Sequence, residues 1–436
     1  MSLAQPGAAG SAVVHAAATP VRAVFITRLN TANKGNEALS CEWIRLLRSH
    51  LTGGVSLAPR TPDHLLPFTV DGLGSVERAP AVFRGWADAI VDAWAKTRPA
   101  PAAPEPARVV LDERFEPEDS PIKKLKRLLK LRVRFAAIGG FKAGYGRRLS
   151  AFAEAGCVIL NPAGEFWTTA TDIPLRHLLD IYVAKRIGCR TAIVNHTFEL
   201  VEPRLLEIVK VAYGAMDLIS VREETSKKRL TDLGIDPEKI LIAPDFVFMT
   251  EPTTAERPPR GAARIALCPN SAYLKNPADE WSKLAEALLS QGHEVALVTN
   301  DFPIDHDTLD RLSERFGLPR LGAGLSYRDY SALLGGFDAV VSSRLHTCVM
   351  ALTAGTPVVP VEGLDFKITA AMAAAGVPIA AVRPGEGDWV ADVTGSIATI
   401  LEDPDGARAW VADVVNVQRR GVELFLERVK TELGFG

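Results

Sequence analysis

A short apolar run, two serines, a helical stretch and a second apolar run fill residues 338–361, and together they leave few choices of fold. The run ending in Val340-Val341-Ser342 shows no polar alternation, as a strand buried on both faces requires. Ser342-Ser343 breaks it. The spacing predicts a helix over 345–354, with Gly355 placed to cap its C-terminus, and Pro357 then opens the next buried strand. Buried strand, helix, buried strand is the unit of a parallel sheet covered by helices. It puts Arg344 and His346 where a strand ends and a helix begins. Ligands of open α/β sheets bind beyond the carboxyl ends of strands, and the free N–H groups of a helix start favour an anion. Arginine and histidine at such a corner point to phosphate or carboxylate. A plain salt bridge and a turn cap are the competing reading, but polar loop residues at this edge are commonly functional.

The remaining chain repeats the pattern. Strands are expected at 21–27, 157–160, 191–195, 218–221 and 240–243, then at 265–268, 295–298 and 379–382, with helical spacing between them. The first strand runs into Asn33-Lys34-Gly35-Asn36-Glu37, a polar loop without the G-x-G-x-x-G of a dinucleotide fold. The expected organisation is a tail over 1–20 and an α/β domain over 21–252 carrying a proline-rich and basic insertion at about 97–150. A linker over 253–263 and a second α/β domain over 264–436, closed by a long terminal helix, complete it. Two such halves form a cleft with both sets of strand ends facing it.

Composition excludes several classes. A net charge of −2 over 436 residues gives no basic field for nucleic acid. Five scattered cysteines without C-x-x-C spacing read as buried hydrophobes in a reducing compartment, and no metal cluster is expected. Cytoplasmic localisation follows as an expectation. Residues 122–134 interleave Lys123, Lys124, Lys126, Arg127, Lys130, Arg132 and Arg134 with apolar residues. They suit a solvated surface helix, or a peripheral contact with an anionic membrane at its inner face.

The ordered pieces then resemble the polysaccharide pyruvyl transferase family. They are Asn33-Lys34-Gly35-Asn36-Glu37-Ala38, Ile219-Ser220-Val221-Arg222-Glu223 with Ser226, Ala243-Pro244-Asp245, Ser342-Ser343-Arg344-Leu345-His346, Gly355-Thr356-Pro357 and Lys367. Where the family tends to carry a glycine-rich run after the strand at Ile159, this chain has Asn161-Pro162-Ala163-Gly164-Glu165. The resemblance implies two Rossmann-like domains similar to the GT-B glycosyltransferases. It implies transfer of the enolpyruvate unit of phosphoenolpyruvate to two hydroxyls of a sugar in polysaccharide or exopolysaccharide biosynthesis, giving a cyclic ketal and phosphate. It associates Arg344, His346 and Arg222 with the phosphoenolpyruvate site.

No cofactor is implied; phosphoenolpyruvate is the donor substrate. The residue chemistry suits it: arginine forks match carboxylate and phosphate, and histidine can protonate the methylene carbon. His346 is the expected acid, with Glu37 or Asp245 as the base. Asn33, Gly35, Asn36, Glu165, His196 and Lys367 complete the expected substrate-binding set, and the acceptor is a free or lipid-linked sugar. The alternatives are a nucleotide-sugar glycosyltransferase and a sugar-binding relative without catalysis.

Overall fold

The computed structural model describes residues 22–28, 33–50, 54–59, 61, 65–66, 68–96, 145–166, 172–251, 261–270, 277–363 and 366–434. The tail, the basic run at 122–134 and most of the linker at 253–263 lie outside these residues.

Two parallel sheets carry the fold. In the first, β1 (Ala23–Thr27), β2 (Val55–Pro59), β3 (Cys157–Leu160), β4 (Arg190–His196), β5 (Leu218–Val221) and β6 (Ile240–Ile242) take the order β2-β1-β3-β4-β5-β6. In the second, β7 (Arg264–Cys268), β8 (Glu294–Val298), β9 (Arg320–Leu321), β10 (Ala339–Ser342) and β11 (Val358–Pro360) take the order β11-β10-β7-β8-β9. The chain reverses direction across each sheet, between β1 and β3 in one and between β7 and β10 in the other. These are the positions where open α/β sheets form a crevice. The fold is therefore α/β with two Rossmann-like domains, the arrangement of GT-B enzymes.

The helices that matter for the cleft are α1 (Lys34–His50) after β1, α2 (Ala79–Ala95), α3 (Tyr145–Ala155) and α4 (Asp172–Arg186) after β3. They continue with α5 (Pro203–Ala215), α6 (Glu224–Asp232), α7 (Pro277–Ser290), α8 (Phe302–Phe316), α9 (Tyr327–Gly335), α10 (Leu345–Thr353), α11 (Lys367–Ala375), α12 (Trp389–Glu402) and α13 (Pro404–Leu433). Two expectations need adjustment. Residues 379–382 supply only an isolated bridge, Val361 to Val382, in which Val382 N donates to Pro360 O and Glu362 N to Val382 O. The terminal helix is not the second domain's alone. α13 crosses back onto β4, β5 and the turn at Phe246–Met249, where Arg419 donates to the carbonyls of Phe248 and Thr250 at 3.0 Å each.

The two sheets share one hydrophobic core. Phe25 and Trp43 of the first domain pack with Phe246, Phe425 of α13, and Val340, Cys348 and Leu352 of the second. Trp43 stacks on Phe246 with ring centroids 3.9 Å apart, and Phe425 meets it edge-on. At the rim the Tyr327 hydroxyl donates to Glu42 Oε1 at 2.9 Å, joining α9 to α1. Two further clusters lie on the outer faces of the two sheets. Burying Trp43 completely makes its truncation expensive, so Trp43→Ala should cost about 3–5 kcal/mol. Because that residue serves both domains, urea unfolding followed by tryptophan fluorescence and by far-UV circular dichroism should give one coincident transition, in wild type and variant alike. Two separated transitions would contradict a shared core.

Candidate functional site

A cavity of about 340 Å³ opens at both crevices together. Its lining comes from strand ends: Arg28, Asn33 and Asn36 after β1, Gly164 after β3, Asn270 after β7, and Asn300 and Asp301 after β8. Ser343, Arg344 and His346 follow β10, Glu362 follows β11, and Lys367 opens α11. The first domain's loop docks directly on the second. Lys34 N donates to Asn300 O at 2.9 Å and Asn33 Nδ2 to Asp301 Oδ2 at 2.8 Å, while Asn33 Oδ1 caps α1 by accepting from Asn36 N at 3.0 Å.

Gly35 lets this docking happen. A β-carbon there would fall 2.6 Å from the Cβ of His346 and nearer still to its ring, so only a glycine permits the first turn of α1 to press on the imidazole. On its other side, His346 Nε2 lies 3.4 Å from Asp245 Oδ2, and that oxygen lies 3.1 Å from Arg222 Nη1. Asp245 Oδ1 caps the next turn through Val247 N at 2.9 Å. Arg222 Nε donates to the carbonyl of Asn195 at 3.0 Å, which a positive φ of 55° at Asn195 and a bulge in β4 turn toward it. Asn195, Arg222, Asp245 and His346 thus form one buried chain ending at the cavity wall.

Charge in this chain is unequal. Burial raises the Asp245 carboxyl's proton affinity, but Arg222 and His346 outweigh it and hold the carboxyl well below its usual range. Burial lowers the His346 pKa; Asp245 opposes this, and Arg222 and Lys367 add to it. Arg344 is paired with Asp305, a residue on α8 that no sequence signal marked. Burial works against the Arg344 guanidinium, yet Asp305 keeps its pKa above the ordinary value. Lys367 is half-buried, and a β-carbon on Gly164 would lie 3.4 Å from its Nζ. Burial lowers its pKa against the pull of Glu199, and no carboxylate among the described residues comes within salt-bridge distance of it.

The expected site residues therefore separate. Asn33, Asn36, Arg344, His346 and Lys367 line the cavity, with Gly35 directly behind His346. Arg222 and Asp245 stand behind His346, out of the lining. Glu37 does not reach the cavity. Its carboxylate sits 3.7 Å from Lys34 Nζ, and burial raises its pKa against that lysine. Glu165 is buried under the Asn161–Glu165 turn, 2.6 Å from His177 Nε2 and 3.7 Å from Arg28 Nε. His196 is a core residue, 2.7 Å from the Tyr213 hydroxyl and driven to a pKa of about 3 by burial, with Arg222 adding to the effect. The turn after β3 keeps its shape without a glycine run, because Asn161 Oδ1 accepts from Ala163 N at 2.6 Å while Ala163 takes φ 51°. Among the described residues, no cluster of three or more His, Cys, Asp or Glu could hold a metal ion, and no helix is long and apolar enough to cross a membrane.

The family profile of polysaccharide pyruvyl transferases matches residues 33–363 of this chain. The chain belongs to that family. No curated protein matches it. Among solved structures, this pyruvyl transferase homologue is similar to a glycosyltransferase from Rickettsia africae, with TM-score 0.53 and 11% identity over 95% of this chain and 99% of that one. It is also similar to a UDP-N-acetylglucosamine 2-epimerase from Rickettsia bellii, with TM-score 0.48 and 12% identity over 96% and 100% of the two chains. Identities this low speak to fold alone.

Two outcomes test this arrangement. Gly35→Ala should leave the fold intact but displace His346, lowering turnover at least tenfold while the thermal midpoint moves by only a few degrees. His196 is neutral in the fold and gains a proton on unfolding below about pH 6.5. Its contribution to stability is therefore complete above about pH 6.5 and is lost as the pH falls toward about 3. His196→Gln should flatten the acid limb of a stability–pH curve across that window, with the wild-type slope as reference.

Proposed function

We propose that the protein transfers the enolpyruvate unit of phosphoenolpyruvate to two hydroxyls of a sugar in a glycan or glycan precursor, forming a pyruvate ketal and releasing phosphate. One observation carries this reading: Arg28, Arg344, His346 and Lys367, drawn from both domains, converge on one cavity, and Lys367 enters it with no carboxylate among the described residues within salt-bridge distance. A donor bearing a carboxylate and a phosphate needs cations from more than one direction. Arginine offers a planar fork and lysine a point charge, a division that suits two anions of different shape.

His346 then delivers a proton to the methylene carbon. Positive charge develops on the neighbouring carbon, and a sugar hydroxyl attacks it. Without donor the imidazole is neutral near pH 7, because burial disfavours its charged form. Two bound anions favour the imidazolium and arm it as an acid. Asp245 is too acidic to serve as base. Its work is to orient the imidazole and stabilise the imidazolium, as a buried carboxylate does behind other catalytic histidines. Arg222 in turn holds Asp245 ionised. Loss of phosphate is assisted by Arg344, Lys367 and the N–H groups at the start of α10.

Kinetics distinguishes these roles. His346→Ala should lower kcat by roughly 10²–10⁴-fold with a smaller effect on the KM for phosphoenolpyruvate. Arg344→Lys keeps the charge but loses the fork, so its main effect should be a raised KM. The wild-type kcat should fall as pH rises through the histidine pKa of the donor complex, and His346→Gln should lack that limb. If His346→Ala turns over near the wild-type rate, the acid is another group. Nucleotide release from a sugar nucleotide, with no phosphate release from phosphoenolpyruvate, would favour a glycosyltransferase on the same fold.

A further inference from the structure

We infer that Asp301 is the base that receives the proton of the attacking sugar hydroxyl, an inference that rests on the pyruvyl-transfer reading. Asp301 ends the loop after β8 and stands at the N-cap of α8. Elsewhere in this chain, cap aspartates turn inward: Asp236 accepts from Glu238 N, Asp245 from Val247 N, Asp388 from Ala391 N and Asp403 from Gly406 N. Asp301 makes no such bond. Forgoing it costs roughly 1 kcal/mol of helix stability. Its carboxylate is instead held across the cleft, where Oδ2 accepts from Asn33 Nδ2 of the other domain at 2.8 Å. The residue is only 4% exposed, lines the cavity, and leaves Oδ1 without a hydrogen-bond partner among the described residues.

Three other carboxylates beside the cavity are committed. Glu362 Oε2 accepts from Ile368 N and Thr369 N at 2.9 and 2.8 Å, Asp305 is paired with Arg344, and Glu165 with His177. Asn33, Asn36 and Asn300 stand with Asp301 in the lining, amides that both donate to and accept from hydroxyl groups, and Arg344 lies near enough for its charge to be felt by the carboxylate. That surface suits the hydroxyl-bearing face of a sugar.

The step balances. As His346 gives its proton to the methylene carbon, the sugar oxygen bonds to the adjacent carbon and its O–H bond breaks toward Asp301 Oδ1. The carbon–oxygen bond to phosphate then breaks as the second hydroxyl adds. Of the two hydroxyl protons released, one replaces that given by His346 and the other leaves on phosphate.

The test uses Asp301→Asn, which keeps an acceptor for Asn33 and removes the base. Wild type and variant are given phosphoenolpyruvate with methyl glycosides of the common hexoses as acceptors. Phosphate release and the thermal shift induced by phosphoenolpyruvate alone are read in parallel. Loss of kcat by about 10²–10⁴-fold with the thermal shift retained, and partial recovery in Asp301→Glu, is the expected result. Turnover within a few-fold of wild type overturns the inference. So does loss of the thermal shift with a raised KM for phosphoenolpyruvate, which would make Asp301 a donor-binding residue. A wild-type enzyme that neither shifts with phosphoenolpyruvate nor releases phosphate overturns the pyruvyl-transfer reading itself.

Discussion

The site depends on one constraint: the two sheets are held by a common core. Trp43 lies on the helix that begins with the Lys34-Gly35-Asn36 turn, and it stacks on Phe246, which directly follows Asp245. The packing that buries this pair therefore also sets the distance from Gly35 to His346 and from His346 to Asp245. Complete burial of both rings makes that spacing stiff, since interiors packed at crystal density do not deform continuously. The cavity is built between domains, yet its walls are as firmly related as residues within one domain.

Stiffness of this kind explains why the site tolerates unfavourable electrostatics. Burial disfavours charge on His346 and Lys367, and Arg222 adds to both effects, with Asp245 as the carboxylate between His346 and Arg222. An anionic ligand beside His346 and Lys367 would favour their charged forms and offset the repulsion from Arg222. The same logic separates Asp245 from Asp301. Asp245 is buried between cations and cannot readily accept a proton, while Asp301 lines the cavity and is held across the cleft by the Asn33 amide.

Much of this was legible in the sequence, and the parts that were not have physical reasons. Parallel strands buried on both faces write themselves as apolar runs, so β3, β5, β7, β8 and β10 were visible, as was the corner at Arg344 and His346. β2 was missed because an edge strand with Leu57 37% exposed has no such run. The loops after β7 and β8 carry Asn270, Asn300 and Asp301, polar residues that no spacing in the sequence sets apart. Asp305 lies one turn inside a helix, where an acid looks like any surface residue; only the fold brings it to Arg344. Glu37 and His196 misled for the opposite reason. Each stands at a strand or helix end in sequence, yet Lys34 holds the first away from the cleft and Tyr213 holds the second in the core.

We place the donor in one cavity walled by the strand ends of both sheets. A crystal structure of the protein soaked with phosphoenolpyruvate tests it most directly. The donor should lie within hydrogen-bond distance of Arg344 and Lys367, with its methylene carbon facing His346. Donor bound only within the first domain, or a sugar nucleotide displacing it from the same cations, would overturn this placement.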